Sequence, residues 1–289
     1  MRTLKIEGAK ISCNEIGVGF ILYNPNSSKL YPYIIANVHT SIKCIKPSPL
    51  HGRSIVVGYN PTKNRYIITK GNGLTYFPFG FVSTEELEGH AWGYLRTEDA
   101  IRDYKSGDYI KSIGILTNKM EAVFTLEQEI IRLPNGVSNI DPTILQYSVI
   151  CPYRIADIPF LSKELVHHFI NGWSNIFEIS YTEVHCNAAE VLLNNIRLLH
   201  KNEVLHNAIH IQNYSLSLEL LDFELSRTPT TPYETENDEQ TYKKLQKREV
   251  IQSLEIVNQI AFYFKENINT KILRQIMIRN GFENYLYPS

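Results

Sequence analysis

Cysteine is scarce in this chain. Only four occur (Cys13, Cys44, Cys151 and Cys186), widely scattered and without a C-x-x-C pair, which argues against both a zinc site and a disulfide framework. They read as buried, reduced thiols in a cytoplasmic protein. An excess of charge is missing too: 29 Lys and Arg face 30 Asp and Glu. Nothing in that balance calls for a nucleic acid or another polyanion as partner. No run approaches the ~18 apolar residues needed to span a bilayer, so no membrane partner is expected. The opening segment MRTLKIE has no apolar h-region, so no secretory signal is expected. No internal repeat is visible.

What the chain does have is core material. Its 289 residues, 43% of them hydrophobic, suffice for one large domain or two tightly packed lobes. The first half is β-rich. Ser54–Gly58 and the alternating Arg65–Lys70 flank the turn formers Asn60-Pro61-Thr62-Lys63-Asn64, a hairpin signal. One helix is expected over Thr97–Ile113, with Thr97 as cap and Glu98 and Asp99 in its first turn. Ile115–Phe124, Gln128–Leu133 and Thr143–Val149 read as further strands. The second half is helical, with helices expected over Leu161–Phe177, Thr182–His200, Tyr242–Lys265 and Thr270–Asn280. In the second of these, Val184, Ala188, Val191, Leu192 and Leu199 form an apolar stripe. Arg227–Glu239, with two prolines and several acids, reads as a mobile surface loop. The expectation is an α+β, bilobal, protein-kinase-like fold in a single domain 1–289. Its β-rich N-terminal lobe would cover 1–150 and its helical C-terminal lobe 151–289.

The chemistry concentrates in Leu205-His206-Asn207-Ala208-Ile209-His210-Ile211-Gln212-Asn213, followed by Asp222-Phe223-Glu224. A kinase catalytic loop runs H-R-D-x-x-x-x-N and is followed by D-F-G. His206 and Asn213 keep that spacing and Asp222-Phe223 match the D-F pair, while Ala208 stands where the base belongs. Magnesium takes hard oxygen ligands, usually one or two of them from protein, and Asn213 and Asp222 offer an amide oxygen and a carboxylate. The plainer reading makes Asp222 a turn cap and Asn213 a loop closer. His206 reads as a brace for the loop. Lys70 ends a strand ahead of Gly71-Asn72-Gly73 and can reach phosphate as a point charge, or stand as an ordinary solvated lysine. Asp103 on the following helix can orient Lys70 as a helix carboxylate does in kinases, or serve as an exposed helix charge beside Arg102. Arg154 can clamp phosphate or pair with Asp157. The neighbouring His167 and His168 cannot share a metal and read as structural. His206 and His210 form a metal pair only if they lie on a helix.

With these residues in view, the chain resembles the selenoprotein-O (SelO, YdiU) family, kinase-fold proteins that transfer AMP from ATP to protein hydroxyls. Thr69-Lys70-Gly71-Asn72-Gly73-Leu74-Thr75-Tyr76 is similar to the family's L-K-G-A-G-x-T-P-Y. Leu95–Tyr104 is similar to L-R-S-S-I-R-E-F with a small insertion, and Ser112–Thr117 to A-L-G-I-x-T. His206–Tyr214 resembles H-G-V-M-N-T-D-N-M, which also lacks the kinase Asp at its third position. The similarity runs in patches from Gly52 to Asp222. It implies that ATP and Mg²⁺ (or Mn²⁺) are bound, with Lys70 on phosphate, Asp103 orienting it, and Asn213 and Asp222 on the metal. Arg154 matches the second of two nucleotide-binding arginines, and Tyr147 stands at the first. Gly52, Arg53 and Gly93 match further nucleotide contacts.

The departures carry chemistry. Gln212 stands at the family's base position and cannot accept a proton, and a missing general base costs about 10²–10⁴-fold in rate. No counterpart of the family's longer C-terminal region, with its redox Cys or selenocysteine, is expected. The resemblance therefore implies AMP transfer to Ser, Thr or Tyr of an unidentified protein. The alternative is an inactive nucleotide-binding pseudokinase that scaffolds or regulates. Phosphoryl transfer to a small molecule is a third reading, opposed by Ala208.

Overall fold

The computed structural model describes residues 18–23, 54–71, 95–126, 131–132, 139–140, 143–232 and 239–285. The fold is mixed α+β. The chain divides into two compact units: residues 1–104 with 118–153, and residues 105–117 with 154–289.

The first unit is built on a five-stranded antiparallel sheet. Its strands are β1 (Val18–Tyr23), β2 (Ser54–Asn60), β3 (Arg65–Lys70), β4 (Lys119–Leu126) and β7 (Thr143–Val149), in the order β1-β4-β7-β3-β2. β7 has neighbours on both edges, and all seven of its residues are buried. That explains why its sequence is mostly apolar instead of alternating. The β2–β3 hairpin turns where the sequence predicts. Asn64 takes a positive φ of 49°, which Asn tolerates better than most residues. Lys63 N–H donates to Asn60 Oδ1 at 3.1 Å and Tyr59 Oη to Asn64 Oδ1 at 2.6 Å.

The strand expected over Ile115–Phe124 begins later, at Lys119. The backbone before it is engaged elsewhere: Leu220 N–H donates to Leu116 O at 2.9 Å, and Thr117 bridges Leu220. The strand expected over Gln128–Leu133 shrinks to β5 (Ile131–Arg132), paired with β6 (Asn139–Ile140). The helix expected over Thr97–Ile113 is α1 (Thr97–Ser112).

In the second unit the helix expected over 161–177 is broken into α2 (Lys163–Ile170) and α3 (Trp173–Phe177). The break falls at Asn171-Gly172, where glycine adds little helix propensity. Ser162 caps α2 by accepting from Leu165 N–H at 3.3 Å. Three longer helices follow: α4 (Val184–Lys201), α5 (Glu239–Phe264) and α6 (Thr270–Arg279). α4 packs mainly on α5; Ala188, Leu192, Ile196 and Leu199 of α4 and Val250, Val257 and Ile260 of α5 are buried. The first turn of α4 is capped from far along the chain. Glu266 accepts from Val184 N–H at 2.8 Å, His185 N–H at 3.0 Å and His185 Nδ1 at 2.7 Å. A carboxylate suits that end of the helix dipole.

The segment expected to be a mobile loop from Arg227 is ordered in its first part. Arg227 bridges Leu205 and lies over the Tyr242 ring at 5.0 Å. Thr228 and Thr231 are buried, with Thr231 Oγ1 2.7 Å from Ser106 Oγ. The hydroxyls satisfy one another, which lets polar residues leave solvent. Residues 233–238 lie outside the described set. No helix among the described residues is long and apolar enough to cross a membrane.

Candidate functional site

In the first unit, Lys70 and Asp103 meet. Lys70 ends β3 and Asp103 sits on the second turn of α1. Their Nζ and Oδ2 atoms lie 2.6 Å apart, and the side chains are only 3% and 2% exposed. The alternatives of a solvated lysine and an exposed helix charge are thereby excluded. Gly71 fixes the end of the strand. It takes φ 99°, and a Cβ there would come within 2.4 Å of Thr143 O and 2.8 Å of the Leu95 Cβ. Only glycine suits such a position. Thr143 in turn holds the start of α1: its N–H donates to Leu95 O at 3.2 Å, and its hydroxyl lies 2.7 Å from that of Thr97.

In the second unit the chain from Glu203 to Arg227 folds into a braced loop. Glu203, Asn207, Leu218 and Asp222 all adopt positive φ, between 58° and 68°. Each such non-glycine residue stores about 1–3 kcal/mol and persists only where the surroundings hold it, a pattern found at functional sites. A tight turn joins Tyr214 to Leu220, with Ser215 N–H donating to Glu219 O at 2.9 Å and Leu218 N–H to Ser215 O at 2.9 Å. Leu221 N–H then donates to Asn213 O at 2.9 Å. This pairing brings the segment carrying Asp222 alongside Asn213.

His206 is fully buried. Its Nε2–H donates to Leu221 O at 3.0 Å, and its ring meets the edge of Phe223 with centroids 5.5 Å apart. Burial holds its pKa below the ordinary histidine value, so the ring is neutral and works as a brace. With that nitrogen engaged and His210 on an exposed stretch of the loop, the two histidines form no metal pair. His167 and His168 lie on α2 against the rings of Phe264 and Phe169, with no role in the loop.

Asn213 is buried. Its amide nitrogen donates to Ala208 O at 2.9 Å, which turns its amide oxygen toward Arg154 Nη1, 3.4 Å away. The Arg154 guanidinium also donates to Gln212 O. Asp157 accepts from the Arg154 backbone N–H at 2.8 Å. Arg154 thus braces the loop at Gln212 and Asn213, a use the sequence reading did not include. The Gln212 side chain is exposed. Asp222 is half-buried. Tyr147 is buried within β7. Gly52, Arg53 and Gly93 lie outside the described residues.

Glu224, on the D-F-E segment, was not singled out as a ligand from sequence. Its carboxylate lies within 4.8 Å of that of Asp222. Oxygens such as that of Asn213 and these two carboxylates are hard donors of the kind a divalent cation takes. A half-open cavity of about 680 Å³ also occupies the second unit, with Tyr181, Glu190, Asn194 and Arg279 among its lining residues. None of the residues expected from sequence to bind nucleotide or metal lines it. Neither the protein-family models nor the curated proteins contain a match to this chain.

Proposed function

We propose that this chain is a kinase-like, Mg·ATP-binding protein of the SelO type that transfers AMP to protein hydroxyls. The observation that supports it most is the braced loop, in which neutral His206 ties Leu221 down while Asn213 and Asp222 present an oxygen and a carboxylate. In this reading Asn213 and Asp222 hold the cation, which screens phosphate charge and orients the nucleotide. Lys70, held by Asp103, supplies a positive charge for phosphate. Most of the rate then comes from positioning and charge neutralisation.

The transfer balances simply. A substrate hydroxyl oxygen bonds to the α-phosphorus, and the bond from that phosphorus to the β-phosphate bridging oxygen breaks. Pyrophosphate leaves, and the hydroxyl proton passes to solvent because Gln212 cannot take it. The exposed, uncharged Gln212 favours a second reading, in which the chain binds nucleotide without turning it over and serves as a scaffold or regulator.

Incubation with ATP labelled at the α-phosphate tests both. AMP transfer predicts protein-bound label that is lost in Asp222→Ala and is not reproduced by γ-labelled ATP. The scaffold reading predicts no label but a rise in melting temperature with Mg·ATP. An Asp222→Ala variant that keeps the full thermal response sinks both.

A further inference from the structure

A third acidic residue carries the loop without belonging to it. Glu249 lies on α5 with its side chain fully buried. Its Oε1 accepts from Asn207 N–H at 2.7 Å, and its Oε2 lies 2.9 Å from His200 Nε2 on α4. Beside it, Arg248 Nη2 reaches Asn207 Oδ1 at 3.2 Å and Asn207 O at 3.4 Å. The Asn207 amide nitrogen donates to Leu225 O at 3.1 Å. Every polar group of Asn207 is therefore held, at a residue whose φ is 65°. Burying a carboxylate is costly, and replacing a whole buried ion pair with apolar residues often leaves a fold no less stable. Glu249 is better accounted for by what it positions. His206 is the next residue back from Asn207, and Leu225 is the next residue on from Glu224.

We propose that Glu249 is a positioning residue for the cation-holding loop, fixing Asn207 so that His206 on one side and the Asp222–Glu224 segment on the other keep their places. This rests on the proposed Mg·ATP reading, and its test separates the two. Outer partners of metal ligands commonly matter roughly 10–100-fold in affinity. In the full chain, Glu249→Ala weakens Mg·ATP binding by that factor and leaves nucleotide binding in EDTA unchanged. Glu249→Gln keeps an oxygen for Asn207 N–H and stays within about threefold of the parent. Hydrogen exchange at the Asn207 amide, read without nucleotide, speeds up in Glu249→Ala and stays slow in Glu249→Gln.

Equal loss of affinity with and without Mg²⁺ overturns the positioning role, as does unchanged exchange at Asn207 in Glu249→Ala. If Glu249→Ala fails to fold, Glu249→Gln decides alone: fast exchange at Asn207 in a folded Gln variant overturns the proposal. If the parent binds no Mg·ATP, the functional reading fails while the exchange measurement still judges the role of Glu249.

Discussion

Replacing Lys70 by Met tests fold and function together. At 2.6 Å between Nζ and Oδ2, the gross attraction at an effective dielectric of ~20 is about 6 kcal/mol. With both side chains almost wholly enclosed, the desolvation of two ions cancels most of it. Lys70→Met leaves Asp103 charged and buried, a loss of about 3–5 kcal/mol. At about 2–4 °C per kcal/mol for a chain of this size class, the melting temperature falls by roughly 6–20 °C. Adding Asp103→Leu removes the buried charge as well, so the double variant recovers much of that loss. Mg·ATP at a hundred times its dissociation constant stabilises the parent by about 2.7 kcal/mol, and the double variant gains far less. Urea denaturation with and without Mg·ATP reads both quantities. A single variant that loses under about 1 kcal/mol, the range of an exposed pair, refutes the buried-pair argument. A double variant with the full nucleotide response refutes the role given to Lys70.

Three other outcomes follow from the geometry. Gly71→Ala must place a Cβ against backbone at φ 99°, costing at least about 1–3 kcal/mol of stability by chemical denaturation. His206 is held neutral by burial, so the unfolded chain binds a proton that the native chain refuses. Stability therefore falls as pH drops below about 6.5 toward the depressed native pKa, by up to about 1.4 kcal/mol per pH unit. His206→Gln removes that part of the slope in denaturation curves taken from pH 7 to 5, and an unchanged slope rejects it. The Cys186 thiol is buried and pushed up to about 11, which leaves on the order of 10²-fold less thiolate at pH 8 than an ordinary cysteine has. Mass spectrometry after iodoacetamide treatment should find Cys186 unmodified in the native protein and alkylated after denaturation.

Local chemistry made much of this structure legible. The β2–β3 hairpin announces itself through Asn60 to Asn64, and α1 through Thr97, Glu98 and Asp99. β7 has no alternation because its side chains are buried on both faces. Long-range pairing was invisible by comparison. Leu116 and Thr117 look like strand residues, yet their backbone belongs with Leu220. Thr228 and Thr231 look like solvated loop, yet they bury each other's hydroxyls. In the candidate site, the bracing role of His206 could be read from spacing, and the Lys70–Asp103 pair from strand and helix placement. The loop contact of Arg154 was invisible because the backbone oxygen it meets, at Gln212, leaves no trace in side-chain chemistry. Glu249 did leave one. It shares a helical stripe with Ser253, Val257 and Ile260, an acid at a core position, which signals a buried partner.

The Leu116–Leu220 hydrogen bond bears on how the protein is made. Residues 105–117 belong to the second unit, but the partner of Leu116 is synthesised roughly a hundred residues later. At ~5–20 residues per second, that segment waits about 5–20 s on the ribosome before its neighbour exists. Meanwhile β4 and β7 emerge and can complete the sheet with β3. The second unit includes a piece of chain that left the ribosome before most of the unit itself, so a fragment beginning at Arg154 lacks the end of α1 and the Leu116 backbone that pairs with Leu220.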